Sequence, residues 1–330
     1  MALDAELQRG LHRITQELLG TTIRWTQGGA ADRARGPSPP SQLNEERSMS
    51  VWFITGASRG FGLEIVREAL SRGDRVIATA RRPESVAEQL PGAGDALLPL
   101  PLDVTDAESV SVAVGQGIAR FGRIDVLVNN AGRGLLGAVE EASDAEVRAV
   151  FEVNVFGLLT VTRGVLPVLR QQRSGTIINI SSVAGFVSRP GWGVYAATKF
   201  AVEAISEGLG KELAPLGIKV VAVEPGAFRT DFLDSSSLVA AASSIHDYAE
   251  TAGATRRWAA DTNDAQDGDP EKAAAVIVDL AHRDAVPERL QLGADSFAAV
   301  ATKVALVARE QTEWNDVSHS TAIRDLRGPG

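Results

Sequence analysis

The sequence predicts an α/β fold, a doubly wound parallel sheet of six or seven strands with helices on both faces. From Val51 onward, short apolar segments alternate with stretches of helical periodicity. The first apolar segment leads into a glycine-rich turn, and polar residues follow several of the later segments. Such alternation is typical of parallel strands joined by right-handed helical crossovers. A ligand is then expected beyond the carboxyl ends of the strands.

Six apolar segments have the length and composition of buried strands, and a shorter one is the candidate for a seventh. The predicted strands span residues 51–55, 75–80, 96–102, 126–129, 176–180 and 219–223, with the seventh at 290–292. Helices are predicted between them. Thr105 with Glu108 and Ser143 with Glu146 have the spacing of capping boxes at two helix starts. Asp-Pro-Glu at 269–271 predicts a further helix start with proline in its first turn.

The turn after the first predicted strand is Thr-Gly-Ala-Ser-Arg-Gly-Phe-Gly, residues 55–62, and a helix follows it. A strand, a glycine-rich turn and a helix start present free backbone N–H groups and a positive dipole end to a pyrophosphate. Gly56 permits the tight turn, Gly60 lets the phosphates approach the backbone, and Gly62 allows close helix packing. We therefore predict a nucleotide site here.

The composition limits the classes of function. The chain has 330 residues, 44% of them hydrophobic, which is enough for one large folded domain, predicted at residues 49–318. The net charge of −9 argues against nucleic-acid and anionic-membrane partners. The chain has no cysteine and only four scattered histidines, so we predict neither a disulfide framework nor a metal site. We expect a soluble, cytoplasmic protein, since we find no apolar run near the roughly 20 residues that span a bilayer.

The two ends of the chain differ from the predicted domain. Apolar residues recur at helical spacing near the start of the chain, at Leu3, Leu7, Leu11, Ile14 and Leu18. The Gly- and Pro-rich stretch at 28–42 excludes a helix or a central strand. We interpret residues 1–48 as an extension outside the fold, disordered or with a short helix, and the alternative is a helix that docks on a partner. Residues 319–330 are predicted to be a C-terminal tail.

Polar residues and glycines stand where the predicted strands end. Asp103 ends the third strand, Asn129-Asn130-Ala131-Gly132 the fourth, Ser181-Ser182 the fifth and Pro225-Gly226 the sixth. Because the carboxyl ends of parallel strands meet at one edge of the sheet, we expect these residues to lie beside the glycine-rich turn. The alternative for Asp103 is a helix cap, and for the Asn pair and Pro225-Gly226 it is a plain turn.

Tyr195 and Lys199 are the main candidates for proton chemistry. They lie four residues apart in a chain with only two tyrosines and five lysines, so on a helix their side chains share one face. A nearby ammonium favours the phenolate, so we expect Lys199 to lower the pKa of Tyr195 from its ordinary value near 10. The alternative is an accidental surface pair.

Together these motifs resemble the short-chain dehydrogenase/reductase family, in its single-domain subgroup. The resemblance covers about residues 50–233 and includes the glycine spacing of the turn. The other motifs that carry it are Asp103, the Asn-Asn-Ala-Gly segment, Asn154, Ser182, Tyr195 with Lys199, and Pro225-Gly226. It implies a Rossmann-type fold and an enzyme that transfers hydride between NAD(P)(H) and a ketone, an aldehyde or its alcohol.

The resemblance also implies roles for single residues. Tyr195 would be the general acid that protonates the carbonyl oxygen, or the base in the reverse direction. Lys199 would also hydrogen-bond the nicotinamide ribose. Ser182, which the family's spacing favours over Ser181, would donate to the developing oxyanion. Asn154 would hold a water that relays protons to Lys199, and the alternative is a solvated polar residue of a helix.

The resemblance and the turn together predict the cofactor contacts. They are Gly56, Ser58, Arg59, Gly60, Gly62, Arg81, Asp103, Asn130, Ala131, Gly132, Tyr195, Lys199, Pro225, Gly226 and Thr230. The second predicted strand ends in Ala80, Arg81 and Arg82, with no carboxylate to bind a ribose and repel a 2′-phosphate. NADP(H) is therefore favoured over NAD(H). The alternative is that these arginines are ordinary surface charges.

The substrate, the assembly and the reaction are predicted only in outline. Apolar candidates for a substrate pocket are Phe186, Val187, Trp192, Phe232 and Leu233, and otherwise they are packing residues. A lid is predicted at 234–268, with His246, Tyr248 and Trp258 as further candidates. The family resemblance suggests that helices at 144–171 and 194–213 pair across a twofold axis in a homodimer or homotetramer.

The predicted activity is NADP(H)-dependent interconversion of a mostly apolar ketone or aldehyde and its alcohol. The alternative is a non-catalytic nucleotide-sensing or scaffold protein on the same fold.

Overall fold

We describe the protein from a computed structural model, which covers residues 49–322. The predicted extension at 1–48 and the end of the predicted tail, from residue 323 on, lie outside these residues. The strands are β1 (Val51–Thr55), β2 (Arg75–Ala80), β3 (Leu97–Pro101), β4 (Val126–Asn129), β5 (Gly134–Leu136), β6 (Gly175–Ile180), β7 (Ile218–Pro225), β8 (Leu238–Ala240) and β9 (Arg289–Leu292).

The helices alternate with the strands of the large sheet. They are α1 (Gly60–Ser71), α2 (Glu84–Gln89), α3 (Ala107–Phe121), α4 (Asp144–Phe151), α5 (Leu158–Gln172), α6 (Gly193–Leu213), α7 (Ala252–Thr262), α8 (Pro270–Ala281), α9 (Ala294–Glu313) and α10 (Asn315–His319). A π-helical turn, Glu152–Gly157, joins α4 to α5.

Seven strands form one parallel sheet in the order β3-β2-β1-β4-β6-β7-β9. This confirms the predicted fold class. β1, β2 and β3 form one half of the sheet, with β3 at its edge, and β4 then pairs with the other side of β1. The strand order therefore reverses between β1 and β4, and a crevice is expected between their carboxyl ends. The predicted seventh strand is present as β9, and β7 extends to Pro225, two residues beyond the prediction.

The strands are apolar because both faces of the sheet are covered. Along β1, Trp52 and Ile54 point into the core on one face, where α1 and α8 pack. Val51 and Phe53 point into the core on the other face, with α3 and α5. Successive strand residues face opposite sides, so a strand buried on both faces must be apolar throughout.

The long helix formed by α4, the π-helical turn and α5 corrects one expectation. Residues Asp144–Gln172 contain an 18-residue window of mean hydropathy 1.5, so by length and composition this helix could cross a membrane. Its apolar side chains have partners within the fold, however. Val161, Val165 and Leu169 are fully buried in the same core cluster as Val110 and Val114 of α3.

One of the two predicted capping boxes is confirmed and the other is wrong. Ser143 Oγ accepts a hydrogen bond from the Glu146 amide, and the Glu146 carboxylate accepts one from the Ser143 amide. Thr105 instead donates both its amide and its hydroxyl to Asp103 Oδ1, at 3.0 and 2.7 Å. A carboxylate is the stronger acceptor and captures the hydroxyl. The α3 helix then begins at Ala107, capped by Asp106.

A second, two-stranded parallel sheet was not predicted. It pairs β5, just after Gly132, with β8, inside the predicted lid. The lid segment 234–268 also contains a short 3₁₀ turn at His246–Tyr248 and all of α7. The pairing holds residues 238–240 beside β5, which follows the carboxyl end of β4.

Candidate functional site

The glycine-rich turn between β1 and α1 forms the floor of the site. Gly56 and Gly60 have φ values of +65° and +52°, in the left-handed region that favours glycine. No side chain caps the first turn of α1, and that turn contains no acidic residue. Its backbone N–H groups therefore remain available to an anion at the positive end of the helix dipole.

The end of β4 holds this turn in place. The Asn130 side chain donates to the carbonyl oxygens of Thr55 and Gly56, at 2.9 and 3.0 Å. The amides of Asn130 and Ala131 both donate to the Thr55 hydroxyl at 3.0 Å. A Cβ atom at Gly62 would collide with the Gly56 carbonyl oxygen and lie 2.5 Å from Asn130 Nδ2. Only glycine at this position lets α1 approach the turn so closely.

Ser182, Tyr195 and Lys199 converge on one wall of the crevice. Ser182 follows β6, and Tyr195 and Lys199 lie one turn apart on α6. The Ser182 side chain lies near that of Tyr195 and acts on its hydroxyl. Lys199 Nζ donates to the Ile180 carbonyl oxygen at 2.8 Å and lies 5.9 Å from the centre of the Tyr195 ring. Tyr195 and Lys199 are 5% and 6% exposed, which contradicts the alternative of a surface pair.

The expected lowering of the Tyr195 pKa is wrong for the protein without a ligand. Burial is the largest influence and raises the pKa of Tyr195 above its usual range, and the nearby Ser182 side chain only partly opposes it. Burial also lowers the pKa of Lys199, to about 8. Burial therefore favours the neutral form of both groups, because the loss of solvent has a larger effect on each pKa than the neighbouring side chains have.

Asn154 lies behind this wall, in the π-helical turn rather than in a regular helix. Its Oδ1 accepts from the Arg133 amide at 2.9 Å. Its Nδ2 donates to the Arg133 carbonyl oxygen and to the Thr198 hydroxyl, at 2.9 and 3.0 Å. Asn154 is 2% exposed, so it is not a solvated helix residue. Its side chain is occupied by protein partners, and a water held by Asn154 would need its main chain.

A cleft of about 890 Å³ runs along the carboxyl edge of the sheet and joins these parts. All the predicted cofactor and catalytic residues line it except Gly62 and Asn154, which support it from behind. Among the substrate candidates, Val187, Trp192, Phe232, Leu233 and Trp258 line the cleft. Phe186, His246 and Tyr248 do not, and the Tyr248 hydroxyl instead donates to Glu140.

Three charged residues predicted as cofactor contacts, Arg59, Arg81 and Asp103, line the cleft. Hydrogen bonds from Thr105 lower the pKa of Asp103, and the charge of Arg81 contributes. Asp103 does not cap α3, so that alternative is wrong. The Arg59 guanidinium donates to Ser236 Oγ at 2.6 Å, to Ser236 O at 3.0 Å and to Ser237 Oγ at 2.8 Å.

Aromatic rings pack around Tyr195 on one wall of the cleft. The ring centroids of Trp192 and Phe232 each lie 5.5 Å from that of Tyr195. The rings of Trp192 and Phe232 stack at 6.5 Å. These contacts place an apolar surface directly beside the Tyr195 hydroxyl.

Several residues of the cleft were missed from the sequence. They are Arg133, Arg189, Ser235, Ser236, Ser237, Val239, Ala254, Thr255, Gln266 and Asp295. Most belong to the lid or to loops, and no periodic pattern marks them. The one usable signal was the apolar Leu-Val-Ala of β8 within a polar segment.

Comparisons with known proteins agree with this geometry. The sequence profile of the family described as short chain dehydrogenase matches residues 50–239. The oxidoreductase BOA17 of Botryotinia fuckeliana is 38% identical over 273 residues, which cover 82% of this chain and 99% of that protein. A 3-ketodihydrosphingosine reductase of Bacteroides thetaiotaomicron is 41% identical over 202 residues, which cover 61% of this chain and 72% of that protein.

Solved structures give the same result. A short-chain dehydrogenase from Streptomyces avermitilis is 44% identical, with a TM-score of 0.79, and the match covers 84% of this chain and all of that one. A 3-ketoacyl-(acyl-carrier-protein) reductase from Brucella melitensis in complex with NADH is 25% identical, with a TM-score of 0.62, over 74% of this chain and 96% of that one. A serine dehydrogenase in complex with NADP+ is 29% identical, with a TM-score of 0.63, over 73% of this chain and 94% of that one.

Proposed function

The chain belongs to the short-chain dehydrogenase/reductase family and is an oxidoreductase of that family, and from this premise we propose its reaction. We propose that it interconverts a mostly apolar ketone or aldehyde and its alcohol with NADP(H), and that Tyr195 is the general acid and base. The observation that carries the proposal is the convergence of Ser182, Tyr195 and Lys199 beside the glycine-rich turn, in one cleft.

The residues of the turn fit a dinucleotide. The open N-terminus of α1 and the positive φ of Gly56 and Gly60 suit a pyrophosphate. Pro225, Gly226 and Thr230 also line the cleft, and Thr230 Cβ would lie 3.5 Å from a Cβ atom at Gly60. When bound there, the reduced nicotinamide supplies the hydride. Every other part of the reaction falls to the protein's own side chains.

Tyr195 provides the proton when a carbonyl is reduced. Because burial raises its pKa, Tyr195 carries its proton at neutral pH and is ready to act as a general acid. Ser182 lies near Tyr195 in the same cleft and would donate to the same developing oxyanion. Lys199, in its charged form, stabilises the phenolate that remains after proton transfer. This arrangement favours the reductive direction.

The proposed preference for NADP(H) depends on charge. β2 ends at Ala80 and is followed directly by Arg81 and Arg82 rather than by a carboxylate, and the nearest acidic residue that lines the cleft is Asp103 on the next strand end. Arg59 and Arg81 both line that part of the cleft. Solved relatives bind either NADH or NADP+, so the family alone does not fix the choice. A lower dissociation constant for NADPH than for NADH in a fluorescence titration would support the preference, and equal constants would contradict it.

The surroundings of Tyr195 support an apolar substrate. Trp192 and Phe232 pack against the Tyr195 ring, and Val187, Leu233 and Trp258 extend the apolar wall. A carbonyl with a bulky hydrocarbon part could bury it on this wall and direct its oxygen to Ser182 and Tyr195. A small polar substrate would leave the wall exposed to water.

We also propose a homodimer or homotetramer, in the cytoplasm. Phe156, in the π-helical turn between α4 and α5, and Phe200, on α6, are 52% and 45% exposed, which suits an interface built from these helices. Light scattering at micromolar concentration tests the assembly, and a purely monomeric protein would contradict it. The cytoplasm is proposed because a chain without cysteine needs no oxidising compartment.

The proposed reaction is tested with NADPH and a panel of ketones and aldehydes, by following the absorbance of the reduced nicotinamide. Tyr195→Phe removes only the acidic hydroxyl and keeps the ring contacts. We expect it to lower kcat by at least about 100-fold, as general acid–base catalysis supplies about that much, while the NADPH dissociation constant changes little. Most of the activity surviving in Tyr195→Phe would overturn the mechanism. No turnover in the native protein on any carbonyl would favour the non-catalytic alternative.

A further inference from the structure

A buried carboxylate lies behind Lys199, and the proposed reaction does not use it. Glu203 follows Lys199 by four residues on α6, so Tyr195, Lys199 and Glu203 succeed one another along one helix face. Glu203 is only 5% exposed. In sequence, a Lys–Glu pair at this spacing resembles an ordinary surface pair. The same helix carries one at Glu207 and Lys211, with both side chains exposed.

Space for the carboxylate is built into the fold. At Gly185, after β6, a Cβ atom would lie 3.0 Å from Glu203 Cγ and 2.6 Å from Ser181 Oγ. Glycine at this position therefore leaves room for Glu203 to reach the end of β6. Ile180, which precedes Ser181, supplies the carbonyl oxygen that holds Lys199 Nζ. The ammonium and the carboxylate thus approach the same strand end from one helix.

Arg289 of β9 holds the carboxylate. Its Nε donates to Glu203 Oε2 at 3.0 Å, and its Nη2 donates to Glu207 Oε2 at 2.6 Å. Glu224 of β7, which is fully buried, lies 3.9 Å from Arg289 Nε, and Glu288 lies 3.8 Å from Nη1. One guanidinium thus faces four carboxylates. Of the two lysines of α6, Lys199 is buried and Lys211 is exposed.

Lys199 needs such a charge nearby. Burial lowers its pKa to about 8, and Glu203 is the charge that opposes this fall. Burial raises the pKa of Glu203. The negative charge of Glu224 raises that pKa further, and the positive charge of Arg289 lowers it. Lys199 and Glu203 form no ion pair, so the carboxylate acts on the ammonium through its field.

We propose that Glu203 is a positioning residue that keeps Lys199 charged at neutral and mildly alkaline pH, with Arg289 fixing its carboxylate. The inference rests on the proposed function, since the charge of Lys199 matters to turnover only if Lys199 serves Tyr195. As the pH rises, Glu203 ionises first, and its charge then delays the loss of the proton from Lys199. Glu203, held by Arg289, thereby extends to higher pH the range in which Lys199 stays charged.

The first test is the pH profile of kcat for carbonyl reduction. Glu203→Gln keeps the size of the side chain and an acceptor for Arg289 but removes the charge. We expect the alkaline limb of the profile to move to lower pH by about one unit, the effect of losing an opposite charge near a buried group. Activity would then be near native below neutral pH and up to about tenfold lower above pH 8. Glu203→Asp, which restores the charge, should return the limb most of the way to its native position.

Glu207→Gln is the matched control. It removes a carboxylate that binds the same guanidinium, one helical turn farther from Lys199 and 38% exposed. Solvent screens that charge, so its removal should leave the alkaline limb in place. An unmoved limb in Glu203→Gln, or an equal shift in Glu207→Gln, would overturn the proposal.

The second test does not depend on turnover. The chain has five lysines, so ¹³Cε-labelled lysine gives few signals, and Lys199→Met identifies the one from Lys199. We expect that signal to titrate about one pH unit lower in Glu203→Gln than in the native protein. If Glu203→Gln does not fold, the native protein is sufficient. Its Lys199 signal should then show an additional inflection, below its own pKa, as Glu203 ionises.

The two readouts separate the two ideas. A native Lys199 signal without this inflection, or with an unchanged pKa in Glu203→Gln, would overturn the role of Glu203 even if the enzyme reduces carbonyls. A protein without carbonyl turnover, whose Lys199 still responds to Glu203, would overturn the proposed reaction and keep the electrostatic role.

Discussion

The close approach of α1 to the glycine-rich turn makes opposite predictions for two glycine-to-alanine changes. At Gly62 the added Cβ would collide with the Gly56 carbonyl oxygen and lie 2.5 Å from Asn130 Nδ2. Gly115, on the exposed side of α3, has no atom within 4 Å of the same Cβ position. Gly62 is the third residue of α1 and Gly115 lies in the middle of α3, so both variants replace a helical glycine by alanine, in very different surroundings.

The magnitudes follow from two opposing effects. Replacing glycine by alanine inside a helix stabilises the folded state by about 0.5–1 kcal/mol, because alanine loses less backbone entropy. Gly115→Ala should therefore raise the free energy of unfolding by that amount. Overpacking costs about 1–3 kcal/mol. At Gly62 the colliding atom belongs to the backbone and cannot rotate away, so Gly62→Ala should lower the free energy of unfolding by about 1–2 kcal/mol.

Urea unfolding of the two variants measures this difference, and NADPH titration measures its effect on the site. We expect Gly62→Ala to raise the NADPH dissociation constant at least about tenfold, equal to about 1.4 kcal/mol, because the turn must move to accept the methyl group. Gly115→Ala should bind NADPH as the native protein does. If Gly62→Ala were as stable as Gly115→Ala and bound NADPH normally, the reasoning about helix approach would be refuted.

Two further predictions concern buried polar groups away from the reacting atoms. Asn179→Ala should lower the free energy of unfolding by about 2 kcal/mol, because it removes the hydrogen-bond partners of Asn129 and Ser206 in the core; a loss under about 0.5 kcal/mol in urea unfolding would contradict this. Glu141→Gln should be less stable than the native protein at pH 7, since hydrogen bonds from Ile245 and Ala138 and the charge of Arg256 lower the pKa of Glu141. A lowered pKa stabilises the fold above the unfolded-state pKa, about 4.3. The gap in melting temperature should therefore shrink as the pH falls below that value, and a gap independent of pH would count against the assignment.

The strands of the large sheet were predictable because their composition follows directly from burial. A parallel strand covered on both faces must be apolar, as in Val51–Thr55, so its extent can be taken from the sequence. β5 and β8 have three residues each and pair with one another across about 100 residues of chain. Such short strands carry no periodicity, so only their tertiary pairing defines them.

The site was predictable where its chemistry requires a particular residue type at a particular position. It was not predictable where the extent of burial decides the direction of a pKa shift. The positions of Gly56, Tyr195 and Lys199 in the cleft followed from their spacing, and that of Ser182 from the family resemblance. The sign of the pKa shift of Tyr195 did not, because it depends on how much solvent the surrounding chain removes. Glu203 was missed for the same reason, since only the fold distinguishes a buried carboxylate from a surface one.

The three hydrogen bonds from Arg59 to Ser236 and Ser237 leave this guanidinium with donors to spare. A guanidinium has five N–H donors, and the two serines engage three of them. Two donors therefore remain for a phosphate in the cleft that Arg59 lines. A nucleotide bound there would be joined through one side chain to the chain segment just before β8, so its arrival would tie that segment down rather than release it.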